Sequence, residues 1–75
     1  MYSRTDLQHQ LDRYATAAAA FARTGSAQQA RFAGDAAREL AGHYRATGDE
    51  ASTEMWVARR AAHEAHGEYA GVYSQ

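Results

Sequence analysis

Two short runs in this 75-residue chain gather side chains able to do chemistry. His63-Glu64-Ala65-His66 sets two imidazoles three residues apart, close enough on a helix to share one metal ion. The run is not the metalloprotease motif, which needs histidines four apart with a glutamate between them. No third ligand stands beside it. Asp35, Glu39 and His43 step by four, so two carboxylates and an imidazole share a helix face. Di-iron bundles use paired Glu-x-x-His motifs and further glutamates, and this chain has none of those pairs. Ordinary i,i+4 pairing accounts for the row, with Arg31 and Arg38 flanking Asp35 and Glu39 near His43. The expectation is no metal and no cofactor. A metal-binding bundle completed by dimerisation, through His63 and His66 or Glu39 and His43, is the alternative.

Nucleophiles are scarce. The chain has no cysteine and no lysine. Ser3, Ser26 and Ser52 fall where helices should start, and capping explains them; Ser74 is near the terminus. Glu64 and Glu68 lie one turn apart on a solvated face. A bundle of this length encloses little concave volume. The sequence predicts no catalytic residue and no enzyme.

Recognition is the chemistry that the remaining outliers suit. Trp56 projects away from the apolar stripe of its segment at 100° per residue, with Arg59, Arg60 and His63 on the same side. A half-exposed Trp beside arginines is the composition of a binding hot spot. The alternative is that Trp56 covers the edge of the core and stacks an arginine. Phe32 also lies off its own stripe, and a patch through Phe32 and Ala36 offers a second place for association. The expected partner-binding residues are Trp56, Arg59, Arg60, His63 and Phe32.

Three periodic segments must position them. In the first, about 5–23, Leu7, Leu11, Tyr14, Ala18 and Phe21 alternate steps of 4 and 3. In the second, about 27–46, Ala30, Ala33, Ala37, Leu40 and Tyr44 do the same. In the third, about 50–72, Ala51, Met55, Ala58, Ala62, Ala65, Tyr69 and Val72 keep the alternation. This is helical seam spacing. Ser3 with Asp6, or Thr5 with Gln8, and then Ser26 with Gln29, form capping boxes. Asp49, Glu50 and Glu54 favour the start of the third helix. Thr24-Gly25-Ser26 and Thr47-Gly48-Asp49 are helix stops with a left-handed glycine. Gly67 and Gly71 weaken the last turns. Gly25, Gly48 and Gly71 recur every 23 residues, a rhythm of helix plus short turn that makes sequential helices antiparallel neighbours. The fold class is all-α: an up-down-up, antiparallel three-helix bundle in one domain, residues 1–75.

Its core is poor in large side chains. Leu, Val and Phe together supply 7 residues, Ile is absent, and alanine supplies 19. Alanine favours helix and lets helix axes approach closely, but it buries little area. A lone bundle of this kind is thinly stabilised, so a homodimer is expected.

The stretch Tyr14, Ala17, Ala18, Phe21, Gly25, Ala30 and Ala37 resembles the helical hairpin of tetratricopeptide repeats, and Leu40, Ala41, Tyr44 and Gly48 repeat its first half. The resemblance covers residues 14–60 and implies a protein-binding scaffold. The chain departs from that pattern in its 23-residue rhythm against the family's 34, in Gly34 at an apolar position, in its longer helices and in lacking proline.

Net charge is -1 and all eight basic residues are arginine, spread along the three segments. No basic face dominates, which disfavours nucleic acid. A small nucleic-acid-associated regulator using Arg59 and Arg60 remains the alternative. The longest apolar run, Ala17–Ala22, is too short for a bilayer, and the first ten residues lack a signal peptide's apolar stretch. A cytoplasmic protein with no membrane partner is expected. The arginine and alanine bias suggests a GC-rich bacterial genome. The function expected is a small adaptor or regulatory protein working by helix-face contacts with another protein, itself, or both.

Overall fold

A computed structural model describes residues 4–65, with side chains from residue 6. Three α-helices account for nearly all of it: α1 (Arg4–Thr24), α2 (Ala27–Thr47) and α3 (Glu50–Glu64). There are no strands among the described residues. The boundaries match the expected segments to within a residue at every end but one. The expected run of the third helix to Val72, with His66, Gly67, Tyr69 and Gly71, lies outside the described residues.

The two connections form as their residues dictate. Gly25 takes φ 67°, and its N–H donates to the Phe21 carbonyl at 2.7 Å. Ser26 then caps α2, its side chain accepting from the Gln29 N–H. Gly48 takes φ 81°. Its N–H reaches the Arg45 carbonyl at 3.2 Å, and the Asp49 N–H reaches Tyr44 at 3.0 Å. This is the Schellman pattern, which satisfies carbonyls that a helix end leaves over. A side chain at φ > 0 costs roughly 1–2 kcal/mol, hence glycine at both places.

Asp49 caps α3. The Ser52 N–H donates to Asp49 Oδ1 at 3.1 Å and the Ser52 hydroxyl to Oδ2 at 2.8 Å. These bonds, the backbone one first, hold the Asp49 carboxyl below its ordinary 3.8. A depressed folded-state value means that the charged form stabilises the fold above the unfolded pKa. That contribution is lost as pH falls through the folded value, below 3.8. An acid titration of helicity should therefore show a steeper loss below that pH for the wild type than for Asp49→Asn, which keeps an acceptor and cannot titrate.

α2 is the central element. It packs against both α1 and α3, while no Cα of α1 comes within 8 Å of α3 among the described residues. Its seven buried residues are Ala30, Ala33, Gly34, Ala36, Ala37, Leu40 and Ala41. Residues this small let two neighbours lie close against one helix. The stripes expected for α1 and α2 face inward: Leu7, Leu11, Tyr14 and Tyr44 pack on a cluster of Ala37, Leu40, Ala41 and Trp56. The whole is a compact three-helix fold, 32 × 24 × 18 Å. Its long axis is about one 21-residue helix at 1.5 Å per residue.

α3 is rotated from its expected orientation. Ala51, Met55, Ala58, Ala62 and Ala65 are all exposed. Trp56 points inward at 4 % exposure, flanked by the half-buried Thr53, Arg60 and His63. A Trp side chain covers about 150–250 Å², worth roughly 4–6 kcal/mol at about 25 cal/mol per Å². Each alanine methyl contributes only about 0.8 kcal/mol. Trp56 alone therefore matches about what Met55 and the four alanines of the described stripe would contribute together, and its ring also meets Tyr14 edge to face.

Gly42 sits exposed inside α2, where an added Cβ would meet nothing within 4 Å. Gly42→Ala should stabilise the protein by roughly 0.5–1 kcal/mol, because glycine in a helix loses more backbone freedom on folding. Thermal melting followed by circular dichroism checks this.

Candidate interaction surfaces

Trp56, Arg59 and His63 do come together, but around Tyr14 of α1. The Tyr14 and Trp56 rings meet edge to face at 4.8 Å between centroids. The Tyr14 hydroxyl and His63 Nε2 share a hydrogen bond at 3.1 Å, and the His63 ring also meets Phe21 edge-on at 5.8 Å. The Arg59 guanidinium lies 4.6 Å from the centre of the Trp56 ring and 5.7 Å from that of Tyr14. These long side chains bridge the space between α1 and α3, whose backbones do not approach each other. The Trp56 ring, half exposed on the hot-spot reading, is buried at 4 % exposure with an arginine stacked on it, which is the alternative that the sequence offered. Arg59 remains exposed at the rim. Arg60 turns along its own helix, its Nε 2.6 Å from Glu64 Oε1.

Tyr14 is the member of this group that its sequence position concealed. Its place in the α1 stripe marks it as core. Nothing local shows that its hydroxyl meets a residue 49 positions away.

Phe32 is exposed, as its position off the stripe implied, at 39 %. It borders an open groove between α1 and α2, about 540 Å³ in volume, lined also by His9, Asp12, Arg13, Thr16 and Gln29. None of the Trp56 group lines it. The expected patch through Phe32 and Ala36 shrinks to Phe32, because Ala36 is fully buried.

A second exposed apolar surface is the outer side of α3. At 100° per residue, Ala51, Met55, Ala58, Ala62 and Ala65 centre about 160° from the inward set of Thr53, Trp56, Arg60 and His63. Met55 is 42 % exposed and Val57, on the flank, 41 %. The helix thus turns Trp56 inward among polar neighbours and an alanine-and-methionine face to solvent. The seam spacing read from the sequence is present; it faces outward.

Serine hydroxyls at Ser26 and Ser52 are engaged in capping. Among the described residues no three His, Cys, Asp or Glu side chains gather to hold a metal. His66 lies outside them. No described helix is long and apolar enough to cross a membrane. Compared with known protein families, curated proteins and solved structures, the chain matches none.

Proposed function

We propose that this is a small non-enzymatic interaction protein that acts through helix faces, with the outer side of α3 as its contact surface. One observation carries the reading: a helix already anchored by Trp56 presents a second apolar seam, Ala51–Met55–Ala58–Ala62, to solvent. A soluble fold gains nothing from such a face unless something covers it, and contiguous apolar surface marks association sites. The seam's spacing suits another helix, because alanines at alternating 4 and 3 steps admit a close helix–helix approach. The likeness to tetratricopeptide hairpins points the same way, toward a scaffold. Arg59 at the rim adds a polar contact, and Phe32 a separate apolar one.

The test is capture from nuclease-treated lysate of the native host, comparing wild type with Ala58→Glu. Ala58 is exposed and mid-seam, so the substitution charges the face and leaves the core untouched. A stoichiometric protein partner held by the wild type and lost from a helical Ala58→Glu protein supports the reading. Capture indifferent to Ala58→Glu, or lost on nuclease treatment alone, overturns it.

A further inference from the structure

We infer that the outer seam of α3 is covered by α3 of a second copy of this chain, running parallel to it. The inference rests on the reading of that face as the contact surface.

With Ala51, Ala58 and Ala65 as d positions and Met55 and Ala62 as a positions, the seam forms an a/d stripe. Glu54 then falls at g and Arg59 at e, one on each flank. In a parallel pair, g of one helix faces the e that follows it by five residues on the other. Glu54 of each copy therefore meets the partner's Arg59, twice by symmetry. An antiparallel pair instead sets g against g and e against e. Among the described residues the g positions hold Glu54 and Ala61, and the e positions hold Ser52 and Arg59. No opposite charges meet in that arrangement. The face is thus complementary to itself in one orientation.

Two features of the fold agree. The seam lies opposite the face that packs on α2, so two copies joined along α3 keep their α1–α2 hairpins on the far sides, clear of each other. The Arg59 guanidinium rests 4.6 Å from the centre of the Trp56 ring. That stack leans toward Tyr14 of α1 at 5.7 Å, and Arg59 nonetheless stays exposed at the edge of the seam, where the partner's Glu54 would approach it. An isologous contact of this type closes as a dimer and does not propagate.

Sedimentation equilibrium across about three decades of concentration reads the association. The expected result is a mass rising to twice that of one chain, and remaining at one chain for Ala58→Glu. Glu54→Arg and Arg59→Glu should each lose the dimer, and mixing the two variants should restore it, since both charge pairs are then rebuilt. Circular dichroism confirms that each variant stays helical. Orientation is read by cysteines placed in a chain that has none: Ala51→Cys should cross-link to itself on oxidation, as a parallel pair requires. Preferential cross-linking of Ala51→Cys to Ala62→Cys, a d position against an a position, would overturn the parallel arrangement. A dimer unaffected by Ala58→Glu would overturn the seam as its interface. A monomer at every concentration would overturn the second copy as occupant. If Ala58→Glu still abolished lysate capture in that case, the contact-surface reading would stand; if it changed neither, both would fall.

Discussion

Trp56→Ala should cost roughly 3–5 kcal/mol of folding free energy, the range for removing a large buried aromatic. A core in a chain this short supplies only about 3–5 kcal/mol in total, so the variant should be largely unfolded at room temperature. The loss has identifiable parts. The ring fills the space between α2 and α3, and at 4 % exposure nearly all its apolar area returns to water on unfolding. Tyr14 loses its edge-to-face partner at 4.8 Å, and the Arg59 guanidinium loses the ring beneath it. Circular dichroism without denaturant measures the change, read against a wild-type urea curve that supplies the folded and unfolded baselines. A hot-spot tryptophan on the surface would behave differently, leaving the urea midpoint nearly unchanged on removal.

Leu40→Ala is the second large effect, expected near the upper end of roughly 2–5 kcal/mol. Leu40 is the largest of the fully buried side chains, at 1 % exposure. The cost of such a truncation depends on whether the surroundings can collapse into the space. Ala37 and Ala41 flank Leu40 on its own helix and have no side chain long enough to swing inward, so filling the space would fall to Leu7, Leu11, Tyr14, Tyr44 and Trp56, which pack on the same cluster. Tyr14 and Trp56 are already engaged edge to face. A cavity should persist, and circular dichroism without denaturant should show a largely unfolded variant beside a helical wild type.

What was legible in the sequence was local. Gly25 and Gly48 mark the helix ends because only a left-handed residue closes those turns without strain, and Ser26 and Asp49 mark the helix starts because their side chains accept from the backbone three residues on. The stripes of α1 and α2 were legible because most of their large apolar residues share one side: Leu7, Leu11 and Tyr14 in the first, Leu40 and Tyr44 in the second, with Phe32 the exception. In α3 the periodicity was present and its direction was hidden. A stripe made mostly of alanine has the spacing of a buried face but spreads its energy thinly, and one tryptophan on the other side supplies about as much by itself. The candidate site divides in the same way. That Trp56, Arg59 and His63 share one side of the helix follows from spacing alone. That this side faces Tyr14 depends on tertiary packing, which no local pattern encodes. Phe32 kept its exposure because its position off the α2 stripe places it beside the α1–α2 groove, where no third helix covers it.

The division of α3 into an inward tryptophan face and an outward alanine seam is the claim on which the functional account depends. Trp56 is the only tryptophan in the chain, so intrinsic fluorescence reports its surroundings alone. Acrylamide quenching of that emission, measured on dilute Ala58→Glu so that no second molecule can shield the ring, tests the claim most directly. The account predicts blue-shifted emission and weak quenching, rising to the solvent-exposed level only in denaturant. Emission at the solvent-exposed wavelength with full quenching in the folded, helical protein would contradict it, and would return Trp56 to the surface and the alanine seam to the core.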